Sequence, residues 1–481
     1  MKNFSFKDFN LDEDIIRALG ELGYEKPTEV QCRTIDAVLQ GRDAIVSSRT
    51  GSGKTAAYAI PLCQTISWEE GKPQALILVP TRELAVQVKE DIGSIGRFKR
   101  LRTVALFGKQ PFSLQERELK SRTHVVVGTP GRLLDHINRG TLSLERIKYL
   151  VIDEGDELLN MGFEEQVKSI ISRVPERRIT LMFSATLPDN IENLASFCTI
   201  NPVRISISSN EQEKASITHY LYSCQKEEKQ KLLMDLLTVK NPSSCIIFAN
   251  TREAVEEVFK ELQSAGLNVK RLHGGMLQQD RLSTMEAFKR GLFRYLVATD
   301  VASRGIDIEA VPLIINYEVP EEKETYVHRT GRTGRAGATG EAITLMASWQ
   351  RKYVTAIEEY SGVQFTDCKA PEREQVDNCK KSFMETSRTH PEEKQDKASR
   401  VGEDITKLYI NGGKKKKIRP GDLVGAITSI EGVEAEDIGI IEVQDNVSYV
   451  DILNSKGKLV IKALSESTIK GKKLRVEKAK G

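Results

Sequence analysis

The sequence predicts two parallel-sheet α/β domains in tandem, followed by a small α+β domain. Three observations carry this. Two long stretches alternate short apolar runs with amphipathic helical patterns, which argues for parallel sheets covered by helices on both faces. A run over 366–402 is rich in Glu, Lys, Asp, Gln and Ser and poor in long apolar side chains. Residues 404–481 then read strand, helix, strand, strand, helix, strand.

In the first stretch, 43–46, 75–79, 104–107, 124–128, 149–152 and 180–183 are short apolar runs that read as strands, separated by helical patterns such as 83–95. In the second, 245–248, 295–298, 313–316 and 341–346 repeat the scheme. The two join near 201–215. At roughly 100–200 residues per domain, 481 residues suggest about three domains. The expected division is 1–207, 208–366 and 404–481, with 367–403 a polar, partly helical linker. Order resumes at 407–411, then helix 423–430, strands 438–443 and 448–453, helix 458–464 and strand 473–476. That βαββαβ order is the layout of an RNA-recognition motif (RRM). It is equally the general ferredoxin-like fold, which hosts many functions.

Hydrophobic residues at 39% and charged residues at 29% describe ordinary soluble globular material rather than a disordered chain. No run of 18 apolar residues occurs, so no membrane span is expected. The N-terminal residues lack the apolar stretch of a secretion signal. Seven cysteines lie far apart without a CxxC pair, which fits reduced thiols in the cytoplasm and no structural zinc site. The net charge of +3 does not by itself point to nucleic acid. Residues 401–481 hold 15 Lys and Arg against 12 Asp and Glu, and their positives cluster. One group is Lys414, Lys415, Lys416, Lys417 and Arg419; another is Lys470, Lys472, Lys473, Arg475, Lys478 and Lys480. Such a cluster is either a solvated face or a polyanion contact, and its context decides.

Three motifs carry chemistry. Ser48-Arg49-Thr50-Gly51-Ser52-Gly53-Lys54-Thr55 follows a predicted strand and opens a helix. Gly51 and Gly53 let backbone N–H groups turn inward around a phosphate, and the helix N-terminus adds its positive dipole end. Lys54 suits the β- and γ-phosphates, and the Thr55 hydroxyl suits Mg²⁺. Asp153-Glu154-Gly155-Asp156 ends another strand. Asp153 is placed to hold Mg²⁺ through its water shell and Glu154 to polarise the water that attacks the γ-phosphate of ATP. In the second domain, His328-Arg329-Thr330-Gly331-Arg332-Thr333-Gly334-Arg335 offers three arginines at spacing three, able to face one polyanion together. An arginine finger of this kind is worth roughly 10³–10⁵ in rate.

Together these motifs resemble the DEAD-box family of ATP-dependent RNA helicases, over about residues 6–365. The resemblance implies two RecA-like domains, ATP with Mg²⁺ as cofactors, and RNA as partner. Gly23 to Gln31 is similar to the Q motif, in which Gln31 reads the adenine edge and Phe6 stacks on it. By the same resemblance Thr50, Gly51, Ser52, Gly53, Lys54 and Thr55 bind nucleotide. Pro80, Thr81 and Arg82, with Thr129, Pro130, Gly131 and Arg132, match backbone RNA motifs of the first domain. Ser184-Ala185-Thr186 resembles the motif that, with Asp156, couples hydrolysis to unwinding. In the second domain Gln278, Arg281, Arg304 and Gly305 are expected on RNA, Asp307 on nucleotide, and Arg332 and Arg335 on the γ-phosphate.

The chain departs from the family pattern at Gly155, where Ala is usual, and at Ser48-Arg49, where Ala-Gln is usual. Both carboxylates survive the first change, so a working ATPase is expected. The tail, with Lys407 to Gly425 and Asp437-Ile438-Gly439-Ile440, resembles the RNA-binding domain of the bacterial DbpA group. That implies binding to a hairpin of 23S ribosomal RNA and a role in large-subunit (50S) assembly by a monomer. Lys414 to Lys417 and Arg419 are the expected phosphate contacts there. Tyr409 and Tyr449 are read either as base-stacking residues or as partly core; the usual Gly-Phe pair of an RNA-stacking sheet is missing. A competing reading is an ATP-gated RNA clamp, in which binding is the function. A third, a DNA helicase, shares the folds but is opposed by the resemblance.

Overall fold

The computed structural model describes residues 4–48, 53–207, 217–300, 311–334, 339–388 and 404–479. The first domain holds β1 (Ala44–Ser47), β2 (Ala75–Leu78), β3 (Thr103–Leu106), β4 (Val125–Gly128), β5 (Tyr149–Ile152), β6 (Ile179–Ser184) and β7 (Val203–Ser206). They form one parallel sheet in the order β3-β4-β2-β5-β6-β1-β7. Successive strand residues point to opposite faces, so each apolar run feeds two cores. On β5, Tyr149 and Val151 join a core with Tyr58, Leu62 and Phe183, while Leu150 and Ile152 join one with Leu158 and Met182.

The second domain repeats the plan with β8 (Ile217–Ser223), β9 (Cys245–Phe248), β10 (Val269–Leu272), β11 (Tyr295–Ala298), β12 (Leu313–Asn316), β13 (Gly340–Met346) and β14 (Thr366–Cys368). Their parallel order is β10-β11-β9-β12-β13-β8-β14. The polar stretch is more ordered than its composition suggests. It opens with β14 and continues as the helix Arg373–Arg388. Phe383 of that helix, 2% exposed, enters the core of the second domain. Thr386 receives Asn241 Nδ2 on its hydroxyl at 3.1 Å and Arg294 Nη2 on its carbonyl at 3.0 Å.

The C-terminal domain consists of β15 (Thr406–Ile410), β16 (Ile438–Val443), β17 (Ser448–Ile452) and β18 (Val476–Lys478), with helices Pro420–Thr428 and Gly457–Glu466. The antiparallel sheet runs β16-β17-β15-β18. Leu408, Ile410, Val450 and Ile452 pack against Leu423, Ile427, Val460 and Leu464 of the helices. Tyr409 and Tyr449 alternate with those core residues and form a cross-strand pair on the opposite face, ring centroids 5.9 Å apart. They are therefore not part of this domain's core. The domain forms one compact unit with the first domain. Leu453 and Ile405 meet Ala18 and Phe98 there, and Arg17 Nη2 donates to Asn454 Oδ1 at 2.9 Å.

Candidate active site

In a parallel sheet every strand ends at the same edge, and ligands bind in the crevice outside those carboxyl ends. The motif segments follow β1, β2, β4, β5 and β6, so one edge collects them. The strand order then sorts them. β6, which ends in Ser184, lies between β1, which leads into the phosphate-loop sequence, and β5, which leads into Asp153. β2 and β4, which lead into Pro80 and Thr129, are neighbours on the other side.

Gly53 precedes the helix Lys54–Thr65 with φ +83°, and a Cβ there would lie 2.6 Å from Gln31 Nε2. The positive φ favours glycine, and a larger residue would also push the Gln31 amide aside. Gln31 is 2% exposed; its Oε1 accepts from the Thr28 N–H at 2.9 Å and its Nε2 donates to the Gly53 carbonyl at 3.3 Å. Phe6 is 4% exposed, with its ring edge-on to Tyr24 at 6.3 Å, so its faces are largely covered by core. The exposed aromatic of that segment is Phe4, stacked with Phe9.

Lys54 is buried, and its Nζ has no hydrogen-bond partner among the described residues. A buried ammonium without a partner is costly, and a polyphosphate is the kind of ligand that satisfies it. Asp153 is 4% exposed; Oδ1 accepts from the Glu154 N–H and Oδ2 from the Tyr58 hydroxyl, both at 2.9 Å. Burial pushes its pKa up, opposed by Lys54, the Tyr58 hydroxyl and the Glu154 amide. Glu154 sits at φ 49°, ψ 54°, the left-handed region, just ahead of the helix Gly155–Asn160. Such backbone strain costs of order 1–3 kcal/mol and clusters at functional sites. A Mg²⁺ that keeps most of its waters needs only one or two protein oxygens. The Thr55 hydroxyl and the Asp153 carboxylate supply such oxygens, so the donor set fits.

Asp156 is tied to the segment after β6. Its Oδ2 accepts from the N–H groups of Ala185 and Thr186, both at 3.0 Å, and from Thr186 Oγ1 at 3.1 Å. Ser184 Oγ accepts from the Asp156 N–H at 3.3 Å and donates to the Thr186 carbonyl at 2.6 Å. Thr81 caps the helix Arg82–Ile95. Thr129 precedes the helix Pro130–Asn138, which starts with Pro130 and Gly131. Arg132 Nη1 donates to the Gln110 carbonyl at 3.0 Å and to Gln115 Oε1 at 2.9 Å.

In the second domain one expectation is corrected. Arg329, the first arginine of the 328–335 motif, does not face outward. Arg329 is buried, with its guanidinium on the Asp300 carboxylate, on Asn250 Oδ1 at 2.8 Å and on the Glu318 carbonyl at 2.8 Å. A desolvated guanidinium has to satisfy its donors locally, so it organises the ends of β9, β11 and β12. Arg332 is 6% exposed. Gln278 starts the helix Gln278–Lys289 and Arg281 follows one turn on, 6% exposed. Thr50, Gly51, Ser52, Arg304, Gly305, Asp307 and Arg335 lie outside the described residues.

In the C-terminal domain Lys414, Lys415, Lys416, Lys417 and Arg419 are all exposed. Backbone bonds from Lys414 N–H to the Gln444 carbonyl (2.8 Å) and from Lys415 N–H to the Asp445 carbonyl (2.9 Å) brace this turn. A Cβ at Gly413 would lie 2.2 Å from the Gln444 carbonyl, so the preceding glycine makes that approach possible. Lys470 Nζ and Lys472 Nζ reach the carbonyls of Lys417 and Lys416. Two lysine groups far apart in sequence thus become one basic patch.

Three family descriptions match the chain: DEAD/DEAH box helicase over 28–194, helicase conserved C-terminal domain over 228–337, and DbpA RNA binding domain over 407–478. The chain is 53% identical over 474 residues to the ATP-dependent RNA helicase DbpA of Bacillus subtilis, covering 98% of this chain and 99% of that one. The chain belongs to the DbpA type of DEAD-box RNA helicases. It is also 41% identical over 367 residues to the DEAD-box ATP-dependent RNA helicase CshA of Bacillus licheniformis, covering 76% and 75% of the two chains. Among solved structures it is similar to Saccharomyces cerevisiae Dbp5 bound to RNA and ADP BeF3, with TM-score 0.71 and 29% identity over 79% of this chain and 99% of the other.

Three features of this DEAD-box chain escaped the sequence reading. Arg329 and Asp300 pair over 29 positions. Gln115 and His136 hold each other and Arg132; burial pushes His136 down to about 4, which keeps it neutral, and Phe112 stacks on it at 4.0 Å. Tyr58 carries a polar tip within a helix whose residues 56–63 are all buried. That lone hydroxyl was the signal available in the sequence. Among the described residues no helix is long and apolar enough to cross a membrane.

Proposed function

We propose that this DEAD-box helicase unwinds short RNA duplexes by ATP-driven closure of its two helicase domains. In this reading Lys54, Thr55 and the loop before them hold the ATP phosphates. Thr55 and Asp153 would hold Mg²⁺, Asp153 through water, and the ion would supply charge neutralisation at the phosphates. Glu154 takes up the developing positive charge of the attacking water, and Arg332 and Arg335 stabilise the transferred phosphoryl group. Gln31 reads the adenine. The RNA backbone lies on the segments around Thr81, Arg82, Thr129 and Arg132, and on Gln278, Arg281, Arg304 and Gly305. The supporting observation is the bond set from Asp156 to Thr186, which ties the carboxylate motif directly to the segment after β6.

The C-terminal domain, by its resemblance to the DbpA RNA-binding domain and its basic patch at Lys414 to Lys417, targets the helicase to 23S ribosomal RNA during 50S assembly. A polyanion recognised through clustered lysines is bound in a salt-dependent way. The clamp reading is disfavoured by Glu154, since holding on needs no water-activating carboxylate in a strained backbone. Strand displacement measured beside ATPase activity, on RNA with and without a 23S ribosomal RNA fragment, tests the proposal. Unwinding above the ATP-free rate, enhanced by the fragment, is expected. Tight RNA binding and hydrolysis without displacement would establish the clamp instead.

A further inference from the structure

The helix after the phosphate loop, Lys54–Thr65, is packed on the sheet with residues 56–63 buried. Tyr58 is 0% exposed, one turn beyond Lys54, and its ring meets Phe183 of β6 at 5.2 Å and 61°. A phenylalanine would satisfy that packing equally. What the hydroxyl adds is a polar contact: it donates to Asp153 Oδ2 at 2.9 Å. Asp153 is one of the two residues read above as facing Mg²⁺, and the helix that carries Tyr58 opens at Lys54 with Thr55 in its first turn.

Among the described residues, the Asp153 carboxylate is held at each oxygen by one donor, the Glu154 amide on Oδ1 and the Tyr58 hydroxyl on Oδ2. A carboxylate accepts at about four lone-pair sites, so each oxygen keeps one acceptor site for a metal-bound water. Two donors on opposite oxygens also fix the carboxylate plane. Outer partners that orient metal-facing ligands in this way commonly change metal affinity by about 10–100-fold when removed.

We propose that Tyr58 is a positioning residue that sets the Asp153 carboxylate for the Mg²⁺ carried by ATP. This rests on the reading of Asp153 as the residue that faces the metal.

The test is Tyr58→Phe in the full chain, with Asp153→Asn as a second arm. Equilibrium binding of a fluorescent ADP analogue is measured across a Mg²⁺ titration and in excess chelator, beside thermal melting without nucleotide. For Tyr58→Phe, binding in chelator should match the parent, while the Mg²⁺ needed for half of the Mg²⁺-dependent gain rises about tenfold. A core-only role would shift the melting temperature and leave the Mg²⁺ midpoint in place, which overturns the proposal. If Asp153→Asn abolishes the Mg²⁺-dependent gain and Tyr58→Phe retains the parent midpoint, Tyr58 alone is misassigned. If Asp153→Asn also retains the parent midpoint, the reading of Asp153 falls, and the proposal with it.

Discussion

Asp156 and Thr186 are joined twice, through the Thr186 N–H at 3.0 Å and the Thr186 hydroxyl at 3.1 Å, both donated to one oxygen, Oδ2. The other oxygen accepts from the Glu157 N–H at 3.1 Å. The carboxylate is thus an acceptor on both sides. Asp156→Asn must place an amide donor against an N–H donor whichever way it turns. A buried group left unsatisfied costs about 1–3 kcal/mol. A lower melting temperature is expected, with RNA unwinding reduced more than nucleotide binding. Unchanged melting and unwinding would remove Asp156 from the coupling path.

Glu154→Gln should leave ATP bound and nearly stop turnover, because the amide cannot take up a proton from the attacking water. An RNA–ATP complex that dissociates slowly is expected in a filter-binding chase. Hydrolysis at close to the parent rate would show that Glu154 is not the base.

Arg332→Ala should lower turnover by roughly 10³–10⁵, the usual worth of an arginine finger, with little change in nucleotide binding. The comparison of kcat with the dissociation constant of a non-hydrolysed ATP analogue decides. Equal losses in both would place Arg332 in the ground-state site.

Gly155→Ala places a methyl 2.9 Å from Met182 Cε and 3.5 Å from the Phe183 carbonyl. The tight contact is with the free end of a flexible thioether side chain, which can turn aside. ATPase activity and melting temperature should both stay close to the parent. A large fall in either would mean that Met182 is held in place by the surrounding core of Leu158 and Ile152.

Removing residues 404–481 should leave the second domain folded, because the helix Arg373–Arg388, with Phe383 in the core, is retained. It also uncovers Phe98 on the first domain, so a modest loss of solubility is expected. Stimulation of ATPase by 23S ribosomal RNA should weaken greatly, leaving a response to generic RNA at high concentration, since the tail raises the local concentration of nearby duplex. Changing Lys414, Lys415, Lys416 and Lys417 to Gln should flatten the salt dependence by about 0.7 per lost phosphate contact on single strands, or about 0.9 on duplex. Activation of the truncated chain at full-length affinity would sink the targeting role.

What the sequence determined by itself is local. A phosphate loop, a carboxylate tetrad and the apolar central strands declare themselves within a few residues, because backbone turning, strand burial and helix opening are set by neighbours in the chain. β5, β9, β11 and β12 stand where their apolar runs placed them. The strands that escaped notice include β7, β10 and β14, all at sheet edges. An edge strand needs no unbroken apolar run, since part of it faces water, and Val269–Leu272 carries Lys270 and Arg271. The helix Arg373–Arg388 was hidden for a similar reason, as Phe383 is its one buried apolar side chain among the described residues, in a largely polar surround. The tertiary structure alone decided which motifs touch. Strand order put β6 between β1 and β5, bringing Thr186 to Asp156 and Phe183 against Tyr58. It also turned Arg329 inward onto Asp300, because the buried carboxyl ends of β9, β11 and β12 leave polar groups that only a many-donor cation can satisfy. Pairings across 29 or 95 positions depend on how sheets are ordered, and that order is a property of the packed chain rather than of any segment in it.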